Sequence, residues 1–578
     1  MSKRRWTDVA AGPVYAALVV ALTWPLALHL TTHLPATGSG CRRDTLLIAW
    51  SLAHQSRALV TDPSRLPEAN IYHPAAHTLL YGETGFGAVP YFMGPFLPTG
   101  NPALAINLTF LGCIALTAWA LHLVVVRWTG CLFAGFVAGW TLLTTRWVLW
   151  TWMPAAPNYT VLQYLPPIVL LSAPGALGAR KSFQLFGLCV LQGLSSVYVA
   201  AATLLPLAAL ALGRAARRAS RVAGLRLLGV VALALLVLAG PYAGYLVVRA
   251  ENPDLAQQTL YHPNPTSRLP WGPSASGMPT GIPVATLALI VIGGAIAIVR
   301  ARRESAPLRT AWLHGLFWVV AGLVLSLAPL ATGWHPKPSA ADDRLTHLVY
   351  VASVLLRGRG RLGLASLVGL ALLAGVAFAE STRGLPTGRT GAAVRMSFAA
   401  LVAVAAYVCY DGGTGVFSAV SSGPPLPHPY PLQVAIAPGP LTRRLSEGDG
   451  PLLELPVGGP VAQAEAMYRS IFHRRPLVNG YHGYWPAGFP ERMALACRLP
   501  DADALAALHR QTGLETIVVH LGYQAPPRIP FPYRCQMRGL VRDVEQRQRW
   551  LSRATADDGD LRLVAVEGTD LVFAVTTR

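Results

Sequence analysis

Apolar runs long enough to cross a bilayer recur through the first three-quarters of the chain, and they constrain the fold more than any other feature. A helix rises ~1.5 Å per residue, so ~20 apolar residues span the ~30 Å hydrocarbon core. Such runs occur at 12–30, 103–126, 131–150, 160–175, 183–198, 199–213, 223–248, 282–300, 310–331, 362–379 and 396–417. No water is available inside a bilayer to satisfy backbone N–H and C=O groups, so these runs must be helical. The expected fold class is a polytopic α-helical membrane protein with about eleven transmembrane helices. Composition agrees. Charged residues make up 13% of the 578, about half the ~25% of an ordinary soluble protein. Intrinsic disorder, collagen and coiled coil each need a more polar or repetitive chain and are excluded.

The net charge of +20 does not point to nucleic acid. The basic residues cluster between apolar runs, as in Lys3-Arg4-Arg5, Arg214 to Arg221, and Arg300 to Arg303. That distribution is expected where Lys and Arg are retained on the cytoplasmic side. It places the N-terminus inside. It also favours two short helices over one long helix in 183–213, because one helix would carry the Arg214 cluster outside. The odd helix count then puts 31–102, 151–159, 249–281, 332–361 and everything after 417 outside. Arg357, Arg359 and Arg361 are the exception to this charge rule. Either 345–356 is an additional short span, or these arginines serve an anion on the outer face.

From Pro424 the composition changes. Pro424, Pro425, Pro427, Pro429 and Pro431 make a stiff linker, and 432–578 reads as α/β. Strands are expected at Leu452–Leu455 and Thr516–His520, a helix at Asp501–Gln511, and a hairpin over Leu561–Val575 turning at Glu567-Gly568-Thr569. The expected organisation is a transmembrane domain over 1–423, including the outer loop 31–102, followed by a soluble extracytoplasmic α/β domain over 424–578. Cys497 and Cys535 can pair if that domain lies in an oxidising compartment; two unpaired buried thiols are the alternative.

The first outer loop carries the most chemistry. Apolar residues at 46, 47, 50, 53 and 58–60, with Arg43, Asp44 and Arg57 between them, predict an amphipathic helix lying along the membrane surface. Asp44 near its start can favour the helix dipole or act as a base. Asn70-Ile71-Tyr72-His73-Pro74 and Tyr81-Gly82-Glu83-Thr84-Gly85 follow, the second bringing another carboxylate among glycines. His29, His33, His54, His73 and His77 match no metal spacing. Gln192, Ser195 and Tyr198 share about one helical face and suit either a cavity lining or interhelical hydrogen bonds. Trp147, Trp150, Trp152 and Tyr159 are expected to form an interfacial belt. No phosphate-binding glycine loop or nucleophile elbow is present.

Several of these groups together resemble a known family. They are Asp44 with Trp50, Asn70-Ile71-Tyr72-x-Pro74, Tyr81-x-Glu83 and Asn101-Pro102-x4-Asn107. Gln192-x2-Ser195-x2-Tyr198, Glu454-Leu455-Pro456, Met467-Tyr468-x4-His473 and Asn479-Gly480-Tyr481-x-Gly483-Tyr484 extend the pattern. It resembles bacterial membrane proteins of the GT-C glycosyltransferase superfamily, which use polyprenyl-phosphate sugars. The resemblance implies a multi-pass protein of the bacterial inner membrane, with a polyprenyl-phosphate sugar donor and an extracytoplasmic glycan, lipid or protein acceptor. It implies Asp44 as the catalytic base or a metal-associated acid, and Glu83 as a second acidic catalytic residue. Asn70, His73, Tyr198, Tyr481 and Tyr484, with Arg357, Arg359 and Arg361 for the donor phosphate, are the expected substrate contacts. A divalent metal ion is an optional cofactor; Asp342-Asp343-Arg344 reads as a solvated loop, with metal binding or neutralisation of the nearby arginines as the alternatives. The non-enzymatic alternative is a transporter or an envelope-assembly scaffold.

Overall fold

A computed structural model of the chain describes residues 3–37, 41–253, 255, 282–301, 308–331, 359–386, 388–411, 429–522, 543–554 and 559–576. Helices dominate the first part: α1 (Lys3–Leu22), α2 (Cys41–Thr61), α3 (Val89–Thr99), α4 (Pro102–Thr129), α5 (Leu132–Leu143) and α6 (Leu165–Leu171). Then come α7 (Ala179–Gly193), α8 (Val197–Ala215), α9 (Arg221–Tyr242), α10 (Gly244–Glu251), α11 (Val284–Ala301), α12 (Arg309–Ala331), α13 (Leu364–Ser381) and α14 (Arg389–Asp411). Among the described residues, six helices are long and apolar enough to cross a membrane: Pro102–Thr129, Val197–Ala215, Arg218–Tyr242, Arg309–Ser326, Arg361–Ser381 and Arg389–Val408. Shorter apolar helices lie at Val9–Leu22, Leu132–Leu143 and Val284–Arg300.

Local sequence explains where these helices begin and end. Asn101 caps α4, its Oδ1 accepting from the Leu104 N–H at 2.9 Å, with Pro102 at the first helical position. The helix stops at Gly130 in the left-handed conformation. The 183–213 stretch forms two helices. Ser196 opens the second, its hydroxyl accepting from the Tyr198 N–H at 3.1 Å. The expected span at 160–175 is cut short. Helix α6 has 7 residues, about 10 Å of rise, and its proline-led start follows a buried 3-10 turn at Pro157–Thr160. Within the bundle α13 is the central element: 94% of the window Arg361–Ser381 is buried, against 22% for Arg389–Val408. The former packs against α12, α5 and α11, while the latter presents Leu401, Val404 and Val408 outward, as a lipid-facing helix does.

The C-terminal part contains α15 (Pro440–Leu445), α16 (Pro460–His473), α17 (Phe489–Ala496), α18 (Ala502–Thr512) and α19 (Asp543–Ala554). Asp501 caps α18 by accepting from the Asp503 N–H. A two-stranded antiparallel sheet joins β1 (His33–Pro35) in the first loop to β2 (Leu432–Val434) at the head of the tail. A four-stranded sheet follows, made of β3 (Leu452–Leu455), β4 (Thr516–His520), β5 (Leu561–Glu567) and β6 (Asp570–Val575). Its order is β3-β4-β6-β5, with β3 and β4 parallel and the other pairs antiparallel.

Two hydrophobic cores result. One fills the helical bundle. The other is shared: Leu46, Trp50, Ile71 and Tyr72 of the first loop pack with Leu453, Met467, Ile471 and Phe573 of the tail. The first loop is thus built into the α/β unit. Helix α2 lies between α16 on one side and α3 and α4 on the other. Its apolar residues at 46, 49, 50, 52 and 53 are buried against protein, while Leu59 and Val60 near its end are exposed.

Candidate functional site

The two carboxylates of the first loop are placed by different neighbours. Asp44 stands in the first turn of α2, where a negative charge is favoured by the helix dipole. Its carboxylate also accepts from Tyr481 Oη at 3.1 Å and from Arg43 Nε at 2.7 Å. The Arg43 guanidinium lies over the Tyr481 ring. Asp44 remains 17% exposed, so it is oriented without being sealed. Two residues earlier, Arg42 pairs with Glu465 of α16 at 2.6 Å. On the residue after Asp44, Thr45 donates to the Pro154 carbonyl at 3.0 Å.

Tyr481 reaches Asp44 because loop 70–85 and segment 477–484 are laced together by backbone hydrogen bonds. Tyr72 N–H donates to Asn479 O, Leu477 N–H to Asn70 O and Tyr484 N–H to Tyr81 O, each at 2.9 Å. Two glycines make this close approach feasible. A Cβ on Gly82 would sit 1.8 Å from His482 Nδ1, and one on Gly480 would sit 2.2 Å from the Tyr72 ring. His482 is wholly buried, and desolvation pushes its pKa down to about 3.

Glu83 emerges from this lacing into a second polar cluster. Its Oε2 accepts from Tyr159 Oη at 2.8 Å, and its Oε1 accepts a short hydrogen bond from the Ser196 hydroxyl. Arg361 Nη1 lies 3.8 Å from Glu83 Oε2 and donates to Tyr159 Oη at 2.9 Å. The Arg361 guanidinium stacks over the rings of Trp152, Tyr198 and Tyr159, at 4.5, 4.8 and 5.3 Å. A planar, weakly hydrated cation suits such an aromatic enclosure. The result is an anion held by two hydroxyl donors beside a cation held by three rings. Segment 152–159 links the two carboxylates, since Pro154 receives Thr45 while Tyr159 binds Glu83.

The other expected residues are placed as follows. Asn70 is engaged at both ends: Oδ1 accepts from Trp50 Nε1 at 3.1 Å, and Nδ2 donates to Arg475 O at 3.1 Å. It clasps the loop to the tail. His73 is partly buried, its backbone donates to Leu477 O, and burial lowers its pKa. The Tyr484 carbonyl accepts from Tyr72 Oη. Tyr198 forms part of the aromatic enclosure. Arg357 and the Arg359 side chain lie outside the described residues, as do Asp342-Asp343 and segment 345–356. Cys497 is disulfide-bonded, and Cys535 lies outside the described residues. Among the described residues, no three His, Cys, Asp or Glu side chains converge as a metal site. Gln192 and Ser195 both donate to Val161 O, at 2.6 and 3.2 Å, and so tie the end of α7 to the segment before α6.

Of the interfacial belt expected of Trp147, Trp150, Trp152 and Tyr159, Trp150 is partly buried against the bundle core, and the other three depart from the belt. They instead turn inward: Trp147 and Trp152 meet the Tyr159 ring edge-on, and Trp147 and Tyr159 are buried. A π-helical turn at Trp147–Thr151 carries the chain into this position. Tyr159 and Ser196 were not foreseen as partners of Glu83. The only sequence signal was their polarity beside apolar spans.

No protein-family model matches the chain, and no curated protein sequence matches it. Among solved structures, it is similar to the crystal structure of ArnT from Cupriavidus metallidurans in the apo state. The identity is 13%, the match covers 97% of each chain, and the TM-score is 0.49.

Proposed function

We propose that the chain is an integral membrane glycosyltransferase of the GT-C type. It moves a sugar from a polyprenyl-phosphate donor to an extracytoplasmic acceptor hydroxyl on a glycan, lipid or protein. The observation that carries this reading is the pair of first-loop carboxylates linked by one segment: Asp44 beside Tyr481, and Glu83 beside Tyr159, Ser196 and Arg361. Asp44 takes the proton from the acceptor hydroxyl as its oxygen attacks the anomeric carbon. The bond from that carbon to the phosphate oxygen breaks, and the electron pair leaves with the phosphate. A phosphate is a good leaving group, so little proton donation is needed at the donor. Glu83 positions Arg361, whose fork recognises phosphate oxygens. A disulfide at Cys497 supports an extracytoplasmic tail, since structural disulfides are rare in the cytosol.

The test is transfer of a radiolabelled sugar from polyprenyl phosphate by the full chain in nanodiscs, with Asp44→Asn and Asp44→Ala as variants. Both variants are expected to lose ~10²–10⁴-fold in rate, the range of a general base, while inserting normally. Wild-type transfer by correctly inserted variants would remove Asp44 from the mechanism.

A further inference from the structure

A cavity of about 240 Å³ opens in the α/β unit, lined by Glu454, Glu465, Arg469, His520, Thr569 and Asp570 among others. Its position follows from the sheet. Glu454 and His520 lie at the carboxyl ends of the parallel strands β3 and β4, and Asp570 begins the antiparallel β6 opposite His520. The crevice outside the carboxyl ends of parallel strands is where open α/β sheets bind ligands. Glu465 reaches back to Arg42 near Asp44, whereas Glu454, Arg469, His520 and Asp570 pair with one another.

The lining consists of charges that are already matched. Glu454 Oε2 accepts from Arg469 Nε at 2.7 Å and lies 3.1 Å from His520 Nε2. His520 Nδ1 lies 3.0 Å from Asp570 Oδ1, and Glu465 is paired with Arg42. Burial pushes Glu454 up and His520 down. The opposing charges and hydrogen bonds more than offset this, leaving Glu454 well below the usual carboxylate range and His520 above the usual imidazole value. Burying such groups is costly, and replacing them with apolar residues is often neutral or stabilising. Glu454 is only 2% exposed. Its Oε1 faces inward, 3.8 Å from Nε2 of the buried His473.

We infer that this cavity binds a neutral, hydroxyl-rich group of the size of one monosaccharide unit. An ionic ligand would leave a counter-charge unmatched in a balanced, half-dry pocket. A polyol would not, because each hydroxyl both donates and accepts. The wall alternates acceptor-only carboxylates with a donor-only guanidinium, which suits adjacent hydroxyls on one ring. The volume is just below the ~300–1,000 Å³ of clefts for drug-sized ligands.

The test is saturation-transfer NMR on the full chain in nanodiscs, with glucose, galactose, mannose, arabinose and N-acetylglucosamine as probes. Inorganic phosphate and methylammonium are the ionic controls. At least one neutral sugar is expected to saturate, with Kd near ~1 mM. Thr569→Trp, on the exposed hairpin turn, plugs the mouth without touching the core. It should weaken binding at least ~10-fold, as should Asp570→Asn, which removes a charged hydrogen bond. Asp44→Asn should leave binding unchanged, so failure of the reaction and failure of the cavity are separable. Three results would overturn the inference: no neutral sugar binds, binding survives Thr569→Trp, or phosphate or methylammonium binds in preference.

Discussion

Replacing Arg469 with Met isolates what the buried pair in the α/β unit contributes. Glu454 lies on β3, 2% exposed, and Arg469 on α16, 15% exposed. Methionine fills much of the aliphatic volume but removes the charge and both donors. Breaking a buried pair by removing one partner costs ~3–5 kcal/mol, because the remaining charge is left without compensation. Here His520 stays 3.1 Å from the carboxylate and His473 3.8 Å away. Some compensation therefore survives, and the lower end, about 3 kcal/mol, is expected. A membrane-embedded chain with an attached α/β unit does not unfold in one step, so a single melting temperature is a poor measure. Amide hydrogen exchange of 452–455 and 516–520 reads the unit directly. A loss of about 3 kcal/mol lowers protection there by two decades, at ~1.4 kcal/mol per decade. The double variant Glu454→Gln/Arg469→Met removes both charges together, and it should recover most of the loss, giving a large coupling energy. If Arg469→Met keeps protection within about twofold of wild type, a change of roughly 0.5 kcal/mol, the Arg469 charge does not compensate a buried Glu454 carboxylate.

Two further perturbations test the same framework. The pH dependence of protection in the α/β unit should have two flanks. Glu454, held low, contributes stability that is complete above the usual carboxylate range and is lost on acidification; His482, pushed down to about 3, contributes stability lost from about pH 6.5 downward. His520, held above its usual value, contributes stability complete below about pH 6.5 and lost as pH rises through its higher folded value. His482→Gln should flatten the acid flank between pH ~6 and ~4, and an unchanged flank would remove His482 from that account. Gly82→Ala places a methyl 1.8 Å from His482 Nδ1 and should cost ~1–3 kcal/mol of overpacking. His482→Ala in the same chain should relieve most of that cost, as measured by exchange at 477–484.

Local signals in the sequence determined the elements. Apolar runs specify helices because the bilayer leaves a backbone no other way to satisfy its hydrogen bonds. The Asn101 cap, the Asp501 cap and the strands at Leu452–Leu455 and Thr516–His520 were legible, because each depends on residues within one or two turns; the split of 183–213 was legible only from the Arg214 cluster, and the Ser196 cap that makes it was not. Asp44 was also legible as an acid in a helix's first turn. Whether it only served the dipole or also faced other chemistry was not, since both require the same position. Tertiary structure decided that Tyr481 reaches Asp44, that Arg361 stacks beside Glu83, and that Trp147 and Tyr159 turn inward. It also decided that the first loop shares its core with the tail. The partners in the first two contacts are separated by hundreds of residues. Aromatic residues that look suited to a membrane interface serve equally well as buried walls. Only packing determines which role they take, because contact energies depend on neighbours in space, and the period of a sequence reports only neighbours along the chain.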